Sequence, residues 1–375
     1  MKKTRILYLH GNTFLAGAEK SLLMIADNID KELFEVFFAL PGGGAFNSEL
    51  NKRGIKTLNI SYPRIRALVG VKGTLGKLAV FIKENEIDIL HGNDLRTNLF
   101  AWLAGRKTGR QVVWHMRNLI YNEKIDLERL FSFLPDAIYC NGSNIASRFD
   151  LFGKRPAKVK VIYTGIDSSN YKDSAERWKF REEFKIGRED VVFAVIGRIS
   201  LGKGHDDFIR AAAEVAGFIP SARFFVVGGS MSAEDRAVES EMRNIATWLI
   251  PEGRVIYTGF RKDMEKIMQL VDVLVLPTHA EPFGRVLMEA MSCGKPVIGT
   301  NTGGTPELLG NGGAGILVRP KNPSELARAM RLLAGNEGLR MTLGSEGRRR
   351  AEEIFDIKIC IKKLQTEYRE LLENE

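Results

Sequence analysis

The residues best suited to chemistry include two cations on a glycine-rich stretch in the second half of the chain. Arg198 and Lys203 follow the apolar segment VVFAVIG on the stretch GRISLGKG. Arginine offers a planar fork of donors to phosphate oxygens, whereas lysine supplies a mobile positive charge. Two such cations at a strand end could neutralise a diphosphate. The alternative is that both are solvated loop residues.

Two carboxylates bracket a second turn, in the segment DVLVLPTHAEPFGRVLMEAMSC. Pro282 predicts that Glu281 lies at or before the start of a helix near Gly284, with Glu289 about a turn and a half inside that helix. Free amides at the positive helix end would bind an anion. The amides expected to be free are those near Arg285, Val286 and Leu287. Alternatively, Glu281 simply caps the helix; a glycoside hydrolase pair is disfavoured because these two positions suit it poorly.

Two further glycine turns carry weaker signals. GGTPE at 303–307 follows an apolar segment, and we expect Thr305 to cap a helix and Pro306 to lie in its first turn. The turn HGNTFLAGAE at 10–19 follows the segment RILYLH and could bring backbone amides to a phosphate, although glycine there could serve only the bend. The turn at 10–19 does not form Gly-x-Gly-x-x-Gly, and neither does PGGG at 41–44 after the second predicted strand, so a nicotinamide dinucleotide site is poorly supported.

These turns need strands to position them, and short apolar runs alternate with helical patterns along the whole chain. This alternation predicts an α/β protein with parallel sheets covered by helices. The predicted strands are 5–10, 34–40, 56–60, 87–91, 111–115, 136–140 and 159–163, then 191–197, 222–228, 254–259, 272–277, 295–300 and 315–318. The interruption at YTGIDSSNYK, residues 163–172, predicts a linker from about residue 164 and so two doubly wound, Rossmann-like domains.

The domains expected are 1–166 and 167–355, with a final helix in 356–375 that packs back on the first domain. Ligands of such sheets bind beyond the carboxyl ends of the strands, so we expect the site in a cleft between the two domains.

Composition excludes several classes of protein. The chain is 44% hydrophobic and 27% charged, as in ordinary globular proteins, and no apolar run is long enough for a membrane-spanning helix. His10, Gly11 and Asn12 interrupt the apolar start of the chain, which argues against a signal peptide. Three cysteines without a Cys-x-x-Cys pair disfavour a disulfide framework or structural zinc, so we expect a cytoplasmic protein.

The positive charge is confined to the first half. Residues 1–166 hold 25 Lys and Arg against 15 Asp and Glu, a balance of +10, whereas the remainder holds 30 against 31, a balance of −1. In SYPRIRALVGVKGTLGKLAVFIK, basic residues interleave with apolar ones: Arg64, Arg66, Lys72, Lys77 and Lys83. We therefore expect the first domain to contact an anionic membrane surface, unless this is an ordinary helix with solvated lysines. No module for nucleic acid is present, so we expect no such partner.

The motifs together resemble one enzyme family. Glu281 and Glu289 match the Glu-x7-Glu signature of the family 4 glycosyltransferases, which have the two-domain GT-B architecture, and EPFGRVLMEAMSCGKPVI resembles that family's most diagnostic stretch. The similarity extends over 197–204, 257–260 and GGTPE, and weakly over the first turn and YTGID. Ala16 and Thr164 depart from the family, which often has glycine and asparagine there.

The resemblance implies a role for each matching residue. Arg198 and Lys203 would hold the diphosphate, Glu289 the ribose and Glu281 the transferred sugar, while the backbone near Gly259, Phe260 and Arg261 would face the base. The donor-binding residues it implies are Gly17, Arg198, Lys203, Gly259, Phe260, Glu281, Phe283, Gly284, Arg285, Val286, Leu287 and Glu289, and the catalytic ones are His115, Arg198, Lys203 and Glu281. Gly17 would let the phosphate approach closely. A strand-end histidine such as His115 is, without the resemblance, more often structural.

The implied activity is sugar transfer from a nucleoside diphosphate sugar to a glycan, glycolipid or small-molecule acceptor, with retention of configuration. Cations and amides that are already in place at the leaving diphosphate lower the barrier to such a reaction. The chain contains no Asp-x-Asp, and no two histidines have metal-ligand spacing on a helix, so we expect no metal or other cofactor. The alternatives are a nucleotide-sugar epimerase or hydrolase on the same fold and a non-catalytic sugar-nucleotide-binding module.

Overall fold

The computed structural model describes residues 2–64, 67–119, 125–171 and 177–373, which leaves Arg66 and Lys172 outside the described residues. The chain divides into two compact units, which we call the first unit (Met1–Gly165 with Ile357–Glu375) and the second unit (Ile166–Asp356). No helix of the described residues is long and apolar enough to cross a bilayer.

The first unit is a seven-stranded sheet with helices. Its strands are β1 (Thr4–Leu9), β2 (Phe34–Leu40), β3 (Thr57–Asn59), β4 (Ile89–Gly92), β5 (Gln111–Met116), β6 (Ala137–Cys140) and β7 (Val159–Val161), and its helices begin with α1 (Gly17–Asn28), α2 (Gly44–Lys52), α3 (Leu68–Glu84), α4 (Leu95–Thr108), α5 (Leu127–Leu130) and α6 (Ser143–Ala146). The order is β3-β2-β1-β4-β5-β6-β7, and all pairings are parallel.

The second unit repeats this plan with six strands. Its elements in chain order are α7 (Arg177–Glu183), β8 (Val191–Ile196), α8 (His205–Phe218), β9 (Ala222–Val227), α9 (Ala233–Leu249), β10 (Val255–Gly259), α10 (Met264–Leu270), β11 (Val273–Leu276), α11 (Arg285–Ser292), β12 (Val297–Thr300), α12 (Thr305–Leu308), β13 (Gly315–Val318), α13 (Pro323–Ala334) and α14 (Glu337–Glu353). The order is β10-β9-β8-β11-β12-β13, again all parallel.

The last helix, α15 (Ile357–Glu373), belongs to the first unit. Its buried face supplies Ile361, Leu364 and Tyr368 to the same apolar cluster as Tyr8 of β1 and Leu22 of α1. The spacing of these residues at three and four positions is that of one helix face. The helix therefore completes the covering of one face of the first sheet.

The burial of the strands explains why they appear in the sequence as continuous apolar runs. The strand β8 is buried along its whole length, as expected for a strand covered by helices on both faces. Every predicted strand is present, with boundaries that differ by at most two residues, and the α/β fold class is confirmed.

Candidate functional site

The second sheet has a switch point between β8 and β11. The chain moves outward from β8 to β9 and β10, then returns to pair β11 with the other side of β8. The loops that leave β8 and β11 therefore diverge to opposite sides, which opens a crevice at the carboxyl ends of these strands. Both loops carry residues singled out by the sequence: Lys203 follows β8, and Glu281 follows β11.

The structure brings Lys203 and Glu281 into direct contact at this switch point. Lys203 Nζ lies 2.8 Å from Glu281 Oε2, although 78 positions separate the two residues along the chain. The glycine that follows Lys203 explains the close approach, because a Cβ on Gly204 would lie 2.0 Å from the carbonyl oxygen of Pro277. Only glycine therefore fits where the two loops cross.

The second oxygen of the Glu281 carboxylate faces the start of α11. Oε1 accepts a hydrogen bond from the amide of Gly284, the cap residue of α11, at 3.3 Å, so Glu281 contacts both the helix start and a cation. Gly303 packs against its main chain, because a Cβ there would lie 2.0 Å from the Glu281 carbonyl oxygen. The Gly304 amide donates to that same oxygen at 2.8 Å. Three strand-end turns thus fix the position of Glu281.

Glu289 lies inside α11, as the sequence predicted, and it is buried. Its Oε1 accepts from Nε of Arg285, one turn earlier, at 3.1 Å. One expectation about this helix is wrong. The amide of Leu287 is not free, because it donates to the carbonyl oxygen of Gly284 at 2.8 Å in a tight first turn.

The third turn also differs from expectation. Thr305 is the first residue of α12 and not its cap, since Gly304 occupies the cap position. The hydroxyl of Thr305 is buried without a hydrogen-bond partner among the described residues. The glycine pair, rather than the threonine, therefore shapes this turn.

The remaining second-unit residues implied by the resemblance lie at or after the carboxyl ends of β8, β10 and β11. Arg198 is the most open of the cations, with a side chain 55% exposed and its Nε 3.9 Å from Asp235. Gly259 ends β10 with a φ of +66°, and Phe260 beside it is exposed. Phe283 is buried with its ring packed on Phe355. Val286 is half-buried in the first turn of α11.

One trio in the described part of the second unit has ligand atoms close enough together for a metal ion: Asp206, Asp207 and His279. His279 Nε2 already lies 2.9 Å from Asp207 Oδ2, as in an ordinary hydrogen-bonded pair. Metal binding to this protein should therefore be tested at these three residues.

The first sheet has its own switch point, between β1 and β4. The turn after β1 leads to Gly17, the first residue of α1, where an added Cβ would meet no atom within 4 Å. His10 Nε2 lies 2.7 Å from Glu19 Oε1, and both residues are buried. Burial alone would raise the pKa of the Glu19 carboxyl, but bonds from His10 and the Ala16 amide hold it below the usual value.

His115 ends a buried chain of hydrogen bonds in the first unit. Its Nδ1 lies 3.0 Å from His91 Nε2 and 3.3 Å from Arg117 Nη2, and its Nε2 lies 2.7 Å from Asn141 Oδ1. The chain continues from His91 Nδ1 to the hydroxyl of Tyr368 at 2.6 Å. Both ring nitrogens of His115 are therefore occupied, and its side chain is 3% exposed.

The donor and acceptor of each hydrogen bond in this network follow from Arg117. A guanidinium only donates, so His115 Nδ1 accepts and its proton sits on Nε2. His91 must then donate from Nε2 to the same Nδ1 and accept at its own Nδ1, where the Tyr368 hydroxyl donates. The Tyr368 oxygen in turn accepts from Tyr8 at 2.8 Å. Burial and the charge of Arg117 lower the pKa of both histidines well below their usual range, so both are neutral.

The sequence analysis missed His91, Asn93 and Arg117. Each lies at or just after the carboxyl end of β4 or β5, and that position was the signal available. Neither strand is followed by a glycine-rich turn, so the sequence has no phosphate-binding motif at these positions. Which strand ends adjoin a switch point follows from the strand order, and the sequence pattern does not give that order.

Comparison with known proteins bears on both units. The family model of glycosyl transferases group 1 matches residues 176–350, and that of glycosyltransferase family 4 matches residues 15–170. The chain is similar to the D-inositol 3-phosphate glycosyltransferase of Rhodococcus jostii, with 30% identity over 205 residues, 54% of this chain and 45% of that protein. It is also similar to the capsular polysaccharide biosynthesis glycosyltransferase CapM of Staphylococcus aureus, with 28% identity over 315 residues, 80% and 81% of the two chains.

A solved structure covers nearly the whole chain. Anabaena HepE in complex with UDP has a TM-score of 0.87 and 25% identity, over 98% of this chain and 100% of that one, and it has also been solved with UDP-glucose. By contrast, the chain spans about half the length of the D-inositol 3-phosphate glycosyltransferases it matches. The two family models together take in most of both sheets, and the chain belongs to the group 1 glycosyltransferases of GT-B fold.

Proposed function

We propose that the protein transfers a sugar from a nucleoside diphosphate sugar to an acceptor in glycan or glycolipid biosynthesis, with retention of configuration and without a metal ion. The observation that carries the proposal is the Lys203–Glu281 contact at the switch point, with Glu281 also bonded to the amide of Gly284 at the start of α11. Lys203 can bind the diphosphate and Glu281 can accept hydrogen bonds from the sugar hydroxyls. Because the two side chains lie 2.8 Å apart, they can act on either side of the bond that joins diphosphate and sugar. HepE, which binds UDP and UDP-glucose, makes UDP-sugars the first donors to test.

The residues act on the charge that develops as the bond between the sugar and the phosphate breaks. Negative charge grows on the leaving diphosphate, where Arg198 and, once it has turned from Glu281 to the phosphate in the bound state, Lys203 stabilise it. Glu281, bonded to Lys203 in this structure, accepts hydrogen bonds from hydroxyls of the transferred sugar when Lys203 turns to the phosphate. Glu289, held by Arg285, takes the ribose hydroxyls. Retention follows if the acceptor attacks the same face and the leaving phosphate accepts its proton.

A donor screen tests the proposal. Thermal unfolding with UDP, UDP-glucose, GDP-mannose and other sugar nucleotides identifies the donor, and turnover with an acceptor panel follows. We expect acceptor-dependent product whose anomeric configuration, read by NMR, matches that of the donor. Turnover without an acceptor would instead indicate an epimerase or hydrolase, and binding without turnover a non-catalytic module. Chelation with EDTA should leave activity unchanged; loss of activity that manganese or magnesium restores would contradict metal independence.

The same proposal includes reversible docking on an anionic membrane through α3. One face of this helix, including Val71, Leu78 and Phe81, is buried, as for an ordinary packed helix. Val69, however, is 87% exposed, and Lys72 and Lys77 are exposed on the same helix. Leu68 and Lys83 of this helix are exposed as well, as is Arg64 before it. Basic residues near anionic lipid contribute about 1 kcal/mol each.

Vesicle co-sedimentation tests the docking. Binding should need anionic lipid, weaken with salt and fall when Lys72 and Lys77 are both changed to Gln. Changing Lys362 and Lys363 of α15 removes the same charge from the same unit and serves as the matched control. Equal binding to neutral vesicles, or equal loss in both variants, would defeat the idea.

A further inference from the structure

Arg117 is a buried cation without a carboxylate partner in the part of the chain that the structure describes. The residue follows β5 and is 9% exposed. Its hydrogen bonds among the described residues go to two neutral acceptors, Asn93 Oδ1 at 3.2 Å and His115 Nδ1 at 3.3 Å. Arg181, by comparison, is the other buried arginine of the described chain, and it lies 3.1 Å from Asp272. Arg117 thus carries a buried charge to which no carboxylate of the described residues is hydrogen-bonded.

The charge persists at neutral pH even though burial opposes it. Burial lowers the pKa of Arg117 to about 10, which leaves the guanidinium protonated. Glu19 is near enough to raise this pKa, but its carboxylate is already bonded to His10 and the Ala16 amide.

Arg117 also lies where the fold of the first unit places a ligand. The side chain of Asn93, which accepts from Arg117, donates to the carbonyl oxygen of Leu9 at the end of β1 at 3.2 Å. Asn93 itself follows β4, so the contacts join β1, β4 and β5 at the switch point of the first sheet. Of the five N–H donors of the guanidinium, two are used by the described residues.

We propose that Arg117 binds a phosphate group carried by the acceptor substrate. A buried cation without a bonded anion costs stability, and ionisable groups perturbed by burial cluster at functional sites. A planar guanidinium with unused donors suits the oxygens of phosphate. The assignment to the acceptor rests on the proposed function, in which Arg198 and Lys203 of the second unit hold the donor diphosphate. The positive excess of residues 1–166 agrees with an anionic ligand on this unit.

Titration with inorganic phosphate tests the site without turnover. The protein carries Arg198→Ala and Lys203→Ala to remove the proposed donor site, so the result does not depend on the proposed function. We expect phosphate to stabilise this protein against heat, and Arg117→Gln to weaken the binding ~10- to 100-fold, the range for loss of a charged hydrogen bond. Arg106→Gln, at an exposed position of α4, is the matched control and should bind phosphate unchanged. Equal phosphate binding in the Arg117 and Arg106 variants would overturn the proposal.

Two further measurements separate the sources of phosphate and the roles of Arg117. If Arg117→Gln in the otherwise unchanged protein loses UDP binding, the donor diphosphate is the ligand and the acceptor assignment is wrong. If Arg117 is only structural, Arg117→Gln lowers the free energy of unfolding; a binding role predicts equal or higher stability. Should that variant not fold, Arg117→Lys decides, because a lysine that binds phosphate as tightly as arginine would exclude recognition by the guanidinium fork. Failure of the donor screen with an intact phosphate response would refute the proposed function alone.

Discussion

Removal of the Tyr368 hydroxyl gives the sharpest test of the hydrogen-bond directions assigned in the first unit. It donates to His91 Nδ1 at 2.6 Å and accepts from the Tyr8 hydroxyl at 2.8 Å, and all three side chains are buried. Tyr368→Phe keeps the ring in the core and removes only this oxygen. His91 cannot respond by moving its proton to Nδ1, because its Nε2 would then face His115 Nδ1 with no proton between them.

The expected magnitudes follow from how many polar groups each change leaves unsatisfied. Tyr368→Phe leaves two buried groups, His91 Nδ1 and the Tyr8 hydroxyl, without a hydrogen bond at about 1–3 kcal/mol each, so we expect a loss of ~2–6 kcal/mol. Tyr8→Phe leaves Tyr368 still donating to His91 and should cost only ~0.5–1.5 kcal/mol, one hydrogen bond. The double variant strands His91 alone, about 1–3 kcal/mol. Adding Tyr8→Phe to Tyr368→Phe should therefore restore part of the lost stability.

Urea unfolding followed by tryptophan fluorescence measures these differences. Trp178 and Trp248 lie in the second unit, and changing both to Phe leaves Trp102 and Trp114 to report on the first. The four proteins of the cycle are compared in this background. Additive losses in the double variant, or a loss in Tyr8→Phe as large as that in Tyr368→Phe, would refute the assigned proton directions.

Three further predictions concern pH, a glycine and catalysis. His91 and His115 have folded pKa values below their unfolded ones, so the free energy of unfolding of the first unit should be constant above about pH 7 and fall below about pH 6.5. The fall should reach up to ~1.4 kcal/mol per pH unit for each histidine. Urea unfolding at a series of pH values should show a smaller dependence of this free energy on pH in His91→Gln, and an unchanged dependence would contradict the prediction. Gly303→Ala should cost at least ~1–2 kcal/mol because its φ is +60° and its Cβ would strike the Glu281 carbonyl, whereas Gly17→Ala should leave thermal stability unchanged yet weaken donor binding. Lys203→Ala and Glu281→Ala should each fold normally and lose at least ~10²-fold in turnover, and wild-type rates in either would defeat the site assignment.

The sequence by itself determined where each strand and its neighbouring turn would lie. Apolar runs of four to seven residues between glycine-rich turns report burial on both faces of a sheet, which is a local property of the chain. The same local logic placed Glu281 before α11 and Glu289 within it, because proline and glycine limit where a helix begins. The fold class followed from the alternation of these elements.

Only the tertiary structure decided which strand ends meet. The strand order puts the loop of Lys203 beside that of Glu281, and it brings Tyr368 of the last helix to His91. Neither contact has a local signature, since each joins residues far apart in the chain through packing. The buried state of Arg117 and the neutral state of the histidines depend on the same packing, because burial and the available partners, not residue type alone, fix charge and proton position.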